Sequence, residues 1–472
     1  MPETIYDVAI IGSGPAGYTA AIRAGQLGLK TCLIEGEAKL GGTCLHVGCI
    51  PTKALLFNAE IFDHIKDAKE FGIEGVDGAK LNWTTIQDRK NKIVAKHAKG
   101  LEFLMKKNKV TVIPGWGRLA GPAQNGVHTV AVENGGKNQN VQAKNILLAT
   151  GSTARMLPGL QADDRILTNV EILNLKQIPK SLVIIGSGAV GVEFGSIYKS
   201  FGAEVTILEM LPRIVPVEDE EVSKELARVY RKRGINTHTS AKVEKVERTK
   251  TGVAVTFAVD GKPQTIEAEK CLIAVGRAPR TEGIGLDKVP QIKVERGFIH
   301  VDECMRTGVP GIYAVGDICA GYPQLAHAGS MEGITAVTQI AGKPAKPVNK
   351  NRIPGATYCH PEIGSVGLTE AKARELGYEV KVGKFPFTAN SRASIVGQHE
   401  GFIKVVAEAK FGEVLGVHII GPQATELIME AVAALELEAR VEDLMWTIHA
   451  HPTLAEAMGD AVAGVYGMSI NA

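Results

Sequence analysis

Two cysteines carry the most pointed chemistry in this sequence. Cys44 and Cys49 stand with four residues between them inside GGTCLHVGCIPTK, residues 41–53. A disulfide between them closes a very small loop, so it gains little chain-entropy stabilisation. A strained or exposed bond of that kind exchanges readily with other thiols. Redox exchange is one reading of the pair. Metal ligation is a second, although no further pair stands at zinc spacing. Two ordinary cysteines at a helix start is a third. Cys32, Cys271, Cys304, Cys319 and Cys359 are scattered and read as small core or loop residues.

The elements before the pair supply a reason for redox chemistry. Asp7–Ile11 is a short β-branched run that reads as a buried strand. It ends at Gly12-Ser13-Gly14-Pro15-Ala16-Gly17, a helix-like stretch follows, and a second strand ends at Glu35. Strand, G-x-G-x-x-G, helix, strand, acid is the pattern of a dinucleotide site. Gly12 permits the tight turn, Gly14 lets backbone approach a pyrophosphate, and Gly17 lets helix and strand pack closely. The helix N-terminus favours the phosphate charge, and Glu35 can bond a ribose diol.

The pattern then recurs. Ser181–Ile185 reads as a strand, followed by Gly186-Ser187-Gly188-Ala189-Val190-Gly191, a helix, and a strand ending at Glu209. Gly12, Gly14, Gly17 and Glu35 each reappear 174 residues later. Two dinucleotide sites in one chain imply an electron donor and a carrier, a nicotinamide and a flavin. Glu209 favours NAD over NADP, because an acid accepts from free ribose hydroxyls and repels a 2′-phosphate. Arg213 nearby is the reservation.

The remaining segments position these sites. Residues 54–70 and 83–107 read as helices, and 110–141 as strands with Gly and Asn turns. Asn145–Ala149 reads as a buried strand closed by Thr150-Gly151-Ser152. Gly311–Val315 is a strand ending at Gly316-Asp317. Asp317 stands where it could bond a sugar-like chain, or simply close a turn. From Pro354 the nucleotide signals stop; short strands and two helices, near Ala424–Glu438 and Pro452–Val465, imply an α+β domain for association or for completing a site. The expected fold is α/β, with two Rossmann-like dinucleotide-binding domains and a C-terminal α+β dimerisation domain. The expected boundaries are 1–152, 153–279, 280–350 and 351–472, the third segment completing the flavin site.

Bulk properties exclude several classes. The 472 residues carry a net charge of +2 with no basic block, which offers nothing to nucleic acid. No apolar run reaches the ~18 residues of a spanning helix. The apolar run Val8–Ile11 is short, lacks a basic leader and enters the glycine turn directly, so no targeting peptide is expected. The default compartment is the reducing cytoplasm, where close cysteine pairs are more often catalytic or metal-binding than structural.

Taken together, these motifs resemble the flavin-dependent pyridine nucleotide-disulfide oxidoreductases, in particular their dihydrolipoamide-oxidising branch. The resemblance spans essentially the whole chain. It rests on the first fingerprint, the cysteine segment, ATGS at 149–152, GSGAVGVEFG at 186–195, AVGRAP at 274–279, VGD at 315–317 and HAHPTLAE at 449–456. It implies that Cys44 exchanges with substrate and that Cys49 faces the flavin. Lys53 would lie near the flavin edge and pair with Glu193. One non-covalent FAD per subunit would be held by the first fingerprint, Glu35, Gly42, Thr43, Gly117, Thr150, Gly151, Ser152, Asp317 and Ala326. NAD would be held by Gly186, Ser187, Gly188, Ala189, Val190, Glu209, Val243 and Gly276.

His451 would be the acid/base, oriented by Glu456 and contributed across a homodimer, with a cis His451–Pro452 bond. The chemistry is consistent, because a dithiol attacks as its thiolate and histidine suits that proton transfer. The spacing of His449 and His451 leaves zinc open, without further ligands in view. The implied partners are lipoyl domains of acyltransferases or the glycine-cleavage lipoyl protein. A purely structural place in such an assembly is the reading from another class. His46, Thr52 and Ala455 depart from the family's usual Asn, Ser and Ser.

Overall fold

The apolar run near the start of the chain forms the strand Ile5–Ile11, whose last four residues are wholly buried. It is central in a seven-stranded sheet. Thr31–Glu35 and Lys137–Leu148 flank it in parallel, with Ile11 opposite Ile34 on one side and Leu148 on the other. Thr111–Pro114 closes one edge, and His128–Asn134 and Trp116–Leu119 extend the other. Ile312–Ala314 also pairs with Lys137–Leu148, placing Ala314 opposite Leu148. The computed structural model describes residues 4–471 and divides into two compact units.

The first unit comprises the chain up to Ala54, Thr85–Arg155 and Arg277–Lys350. Its core joins Val8, Ile10, Leu33, Ile34, Leu147 and Leu148 to the alanines of helix Pro15–Gln26. Small residues let helix Ala326–Ile340 lie against that helix: a Cβ on Gly329 would meet the Ala16 Cβ at 3.2 Å, and one on Gly333 the Ala16 carbonyl oxygen at 2.6 Å. One of the chain's excursions from this unit, out after Arg155 and back at Arg277, is flanked by a short antiparallel pair, Ser152–Ala154 with Arg277–Pro279.

The second unit comprises Leu55–Thr84, Met156–Gly276 and Asn351–Ala472. It repeats the nucleotide architecture. A parallel five-stranded sheet runs in the order Ile235–His238, Glu204–Leu208, Ser181–Ile185, Lys270–Ile273, Ile166–Leu167. An antiparallel three-stranded sheet, Ala241–Arg248, Val253–Val259 and Lys262–Ala268, packs on it through Phe257 and Val255. The C-terminal part is an antiparallel five-stranded sheet with helices Ala424–Glu436 and Glu456–Gly464 on it.

A buried ion cluster ties that sheet to helix Glu220–Lys232. Lys404, 2% exposed, reaches Asp219 at 3.0 Å and Glu221 and Glu370 at 2.8 Å each. Desolvation works against its charge, but the three carboxylates outweigh it and hold the ammonium proton more tightly than usual.

Two helices begin elsewhere than their periodicity predicts. The helix expected from residue 54 begins at Cys49, because Pro51 falls in its first turn, where a missing N–H costs nothing. The last helix, expected from Pro452, begins at Glu456.

Candidate functional site

Cys44 and Cys49 are joined as a disulfide, with 4.7 Å between their Cα atoms. The local fold explains the approach. Cys44 lies in the short helix Gly42–Val47, and Cys49 opens helix Cys49–Lys66. Gly48 breaks the two apart at φ −142°, ψ −116°. A Cβ there would meet the Thr43 carbonyl oxygen at 2.9 Å and the Cys44 Cα at 3.2 Å, so the break needs a glycine. The Thr52 hydroxyl donates to the Gly48 carbonyl at 2.7 Å and secures the new helix. His46 Nε2 donates to the Leu40 carbonyl at 2.8 Å, which gives this ring a role in closing the loop. Lys53 stands one turn beyond Cys49, on the same helix face.

The cysteine loop is fastened to the first fingerprint. Gly41 N–H donates to the Ser13 carbonyl at 3.0 Å and to the Ser13 hydroxyl at 3.1 Å. Gly42 sits so near Gly14 that a Cβ would come within 2.6 Å of the Gly14 Cα. Gly12 turns at φ +103°. A Cβ on Gly17 would overlap the Gly12 carbonyl, whereas one on Gly14 would meet nothing within 4 Å. That open space lies at the start of helix Pro15–Gln26, whose N-terminus has no side-chain cap. Glu35 ends the neighbouring strand, its carboxylate accepting from Ser13 and from Glu37 N–H. A cavity of about 670 Å³ beside it is lined by Glu35, Glu37, Lys39, Phe103, Val112 and Pro114, among others.

Asp317 lies at the same end of this sheet, just past Ile312–Ala314. Its carboxylate accepts from the Ser152 hydroxyl and lies 3.8 Å from Arg277 Nε. Arg277 also donates to the Ser152 hydroxyl at 2.7 Å and the Ser152 carbonyl at 2.8 Å. Thr150 donates its hydroxyl to the Arg280 carbonyl at 2.6 Å, and Arg280 N–H returns a bond to the Gly151 carbonyl. Gly316 N–H is held at 2.6 Å by Glu332, a carboxyl that burial pushes up to about 7. Gly117 packs against Ile11, Ile34 and Val130, and Ala326 begins helix Ala326–Ile340.

The second unit carries the second fingerprint in the same form. Gly186 turns at φ +101°. A Cβ on Gly191 would overlap the Gly186 carbonyl, while Gly188 faces open space at the uncapped start of helix Ala189–Ser200. Glu209 accepts from Ser187 and from Leu211 N–H. Arg213, the reservation against NAD, donates to the Pro216 carbonyl at 3.0 Å. Glu193 is buried on helix Ala189–Ser200 and accepts from Tyr358 N–H at 3.0 Å. Val243 lies at an irregularity in Ala241–Arg248, and Gly276 turns at φ +99° over open space.

His451 and Glu456 meet in this unit. His451 Nδ1 lies 2.9 Å from Glu456 Oε1, and Thr453 N–H donates to Glu456 Oε2 at 2.8 Å. The Thr453 N–H, and then the His451 ring, hold the carboxyl below its usual range despite some desolvation. The His451–Pro452 bond is cis, as expected, and so is His360–Pro361, which the sequence did not flag. His449 is paired with Glu430 at 2.9 Å. Among the described residues no group of three His, Cys, Asp or Glu side chains could hold a metal ion. The structure also gives work to Ser13, Arg277, Glu332 and Thr453, none of which was singled out in advance. Ser13 alone had a signal, since its twin Ser187 stands at the repeat spacing.

Comparison with known proteins agrees with this geometry. Residues 6–333 match the family model described as pyridine nucleotide-disulphide oxidoreductase, and residues 353–462 match that family's dimerisation domain. A dihydrolipoyl dehydrogenase of Bacillus subtilis is 45% identical over 475 residues, covering 99% of each chain. One of Mycobacterium tuberculosis is 44% identical over 472 residues, covering 99% of this chain and 100% of its own. Among solved structures, LpdA of M. tuberculosis superposes with a TM-score of 0.89 at 28% identity, over 96% of this chain and 98% of that one. The HOCl-induced flavoprotein disulfide reductase RclA of Escherichia coli gives 0.84 at 27% identity, over 97% and 99%.

Proposed function

The chain belongs to the pyridine nucleotide-disulphide oxidoreductase family, and from that premise we propose that it is a dihydrolipoyl dehydrogenase, oxidising dihydrolipoamide with NAD⁺. The observation that carries the reading is the Cys44–Cys49 disulfide, fastened through Gly41 and Gly42 to a dinucleotide fingerprint. Full-length relatives named for this activity support it.

The residues fit FAD at the first fingerprint and NAD at the second. Each has open space at Gly14 or Gly188, an uncapped helix start for a pyrophosphate, and a carboxylate at the strand end for a ribose. Gly12, Pro15, Ala16, Gly17, Glu35, Gly42, Thr43, Lys53, Gly117, Thr150, Gly151, Ser152, Asp317 and Ala326 would hold FAD. Gly186 to Val190, Glu193, Glu209, Val243 and Gly276 would serve NAD. Bound FAD supplies the two-electron relay between the cysteine pair and the nicotinamide.

The remaining chemistry belongs to side chains. His451 takes a proton from one substrate thiol, and Glu456 stabilises the imidazolium that results. The substrate thiolate attacks the Cys44 sulfur, the Cys44–Cys49 bond breaks, and Cys49 leaves as a thiolate. The second substrate sulfur then displaces Cys44 and closes the cyclic disulfide, and its proton passes to the Cys44 sulfur, which leaves as a thiol. The substrate has lost two electrons and the cysteine pair has gained them.

The base works across a dimer. His451 is 71% exposed in its own subunit, and the nearby Trp446 and Ile448 are 80% and 96% exposed. A second copy seated there would bury that apolar surface and carry each His451 to the other subunit's disulfide. The protein partners are lipoyl domains of acyltransferases or the glycine-cleavage lipoyl protein, whose dithiol is the substrate. Five free, buried cysteines suit a reducing cytoplasm. Among the described residues no helix is long and apolar enough to cross a membrane.

Steady-state assays test the reading: lipoamide and glutathione disulfide, each with NADH and NADPH. Lipoamide with NADH is expected to dominate, and Cys44→Ser to abolish that turnover while FAD stays bound. Preference for glutathione disulfide with NADPH, or full activity in Cys44→Ser, overturns it.

A further inference from the structure

The 174-residue repeat continues below the glycines. Ser13 donates its N–H, at 2.8 Å, and its hydroxyl to one oxygen of Glu35. Ser187 donates its N–H, at 2.8 Å, and its hydroxyl, at 2.7 Å, to one oxygen of Glu209. The other carboxylate oxygen accepts Glu37 N–H at 2.8 Å in the first unit and Leu211 N–H at 2.9 Å in the second. Each of these pairs of residues stands 174 apart. Both serines are 0% exposed, and Glu35 and Glu209 are only 9% and 8% exposed.

Backbone N–H groups are available whatever residue stands at these positions. The third donor exists only because the residue is serine. We propose that Ser187 is a positioning residue for the nicotinamide nucleotide, clamping Glu209 in the orientation that meets the adenosine ribose diol, and that Ser13 does the same through Glu35 for the flavin nucleotide. The inference rests on placing NAD at the second fingerprint. A carboxylate fixed by three donors cannot turn aside, so it keeps accepting from the diol and keeps repelling a 2′-phosphate. Without the hydroxyl, two N–H donors remain and the group gains freedom to rotate.

The two clamps differ in one respect. The Ser13 hydroxyl also accepts Gly41 N–H, at the root of the cysteine loop. In the second unit the N–H at the repeat position of Gly41, that of Val215, donates to the Ser187 carbonyl at 3.1 Å, which makes Ser187 the cleaner test.

The experiment compares Ser187→Ala, Ser187→Gly, Glu209→Ala and Ser13→Ala as FAD-loaded enzyme. It measures NAD⁺ binding to oxidised enzyme by calorimetry, KM and kcat for NAD⁺ and NADP⁺, and flavin retained after dialysis. Losing one donor to a carboxylate is expected to weaken NAD⁺ binding and raise its KM about threefold to tenfold in both Ser187 variants. Their kcat and flavin content stay at wild-type values, and the NAD⁺ to NADP⁺ preference narrows. Ser13→Ala sheds flavin on dialysis while its loaded fraction binds NAD⁺ normally. Wild-type NAD⁺ affinity in the Ser187 variants, with affinity lost in Glu209→Ala, overturns the clamp alone. Wild-type affinity in Glu209→Ala as well overturns both the clamp and the placing of NAD at that fingerprint. A fall in kcat without a change in affinity also overturns the clamp.

Discussion

His451 and Glu456 are fixed by the turn that separates them. Thr453 N–H holds one carboxylate oxygen and the imidazole Nδ1 faces the other, so the ring presents Nε2 as the nitrogen that exchanges a proton. The Glu456 carboxyl, held below its ordinary 4.5, stays ionised through the neutral range, and the pairing weakens only as pH falls through the lowered value. His451→Gln is expected to lower lipoamide turnover about 10²- to 10⁴-fold, with bleaching of the bound flavin by NADH retained. Stopped-flow absorbance checks this, and an unchanged turnover would remove His451 as the base. At this scale the sequence was legible where partners are near in the chain. Cys44 and Cys49 are five residues apart across the break at Gly48, and His451 and Glu456 span one bend. Arg277 with Ser152, and Glu332 with Gly316, lie far apart in sequence, and nothing local announces which hydroxyl or carboxyl will meet which N–H.

Helices and strands were readable because burial imposes a period, and the glycines were readable because each does a different job. The pairs sort cleanly. Gly17 and Gly191 have no room for a Cβ, since each would overlap the carbonyl of Gly12 or Gly186. Gly14 and Gly188 have nothing within 4 Å. Gly191→Ala is therefore expected to push helix Ala189–Ser200 off its strand and destabilise the second unit by about 1–3 kcal/mol. Gly188→Ala is expected to fold normally and raise KM for NAD⁺ by occupying the space a pyrophosphate needs. Thermal melts and KM values separate the two, and equal melting temperatures would contradict the packing argument. Element boundaries were less legible. The helix expected from residue 54 begins at Cys49, with Pro51 inside its first turn, while the helix expected from Pro452 begins at Glu456, with Pro452 in the bend before it. The same residue type serves both settings, and only the hydrogen bonds around it decide.

For the whole molecule, the repeat is what made two nucleotide sites visible, while the association domain announced itself only by lacking such a signal. Its function is legible instead in what its surface leaves uncovered. Leu437, Trp446 and Ile448 are each at least 80% exposed, and they lie in residues 353–462, which match the family's dimerisation domain. Scattered apolar residues on a surface need no explanation, but Trp446 and Ile448 stand just before the proposed base and share its exposure. A charge at Ile448 would have to be desolvated in a two-fold contact, where its copy also approaches. Ile448→Lys is accordingly expected to shift the protein toward monomer in light scattering. Each monomer keeps its flavin, because the FAD residues proposed above all lie in the first unit. Lipoamide turnover falls in step with the dimer fraction and recovers as protein concentration rises. A monomeric Ile448→Lys protein with full lipoamide activity would show that His451 serves its own subunit's disulfide, and the shared site would have to be abandoned.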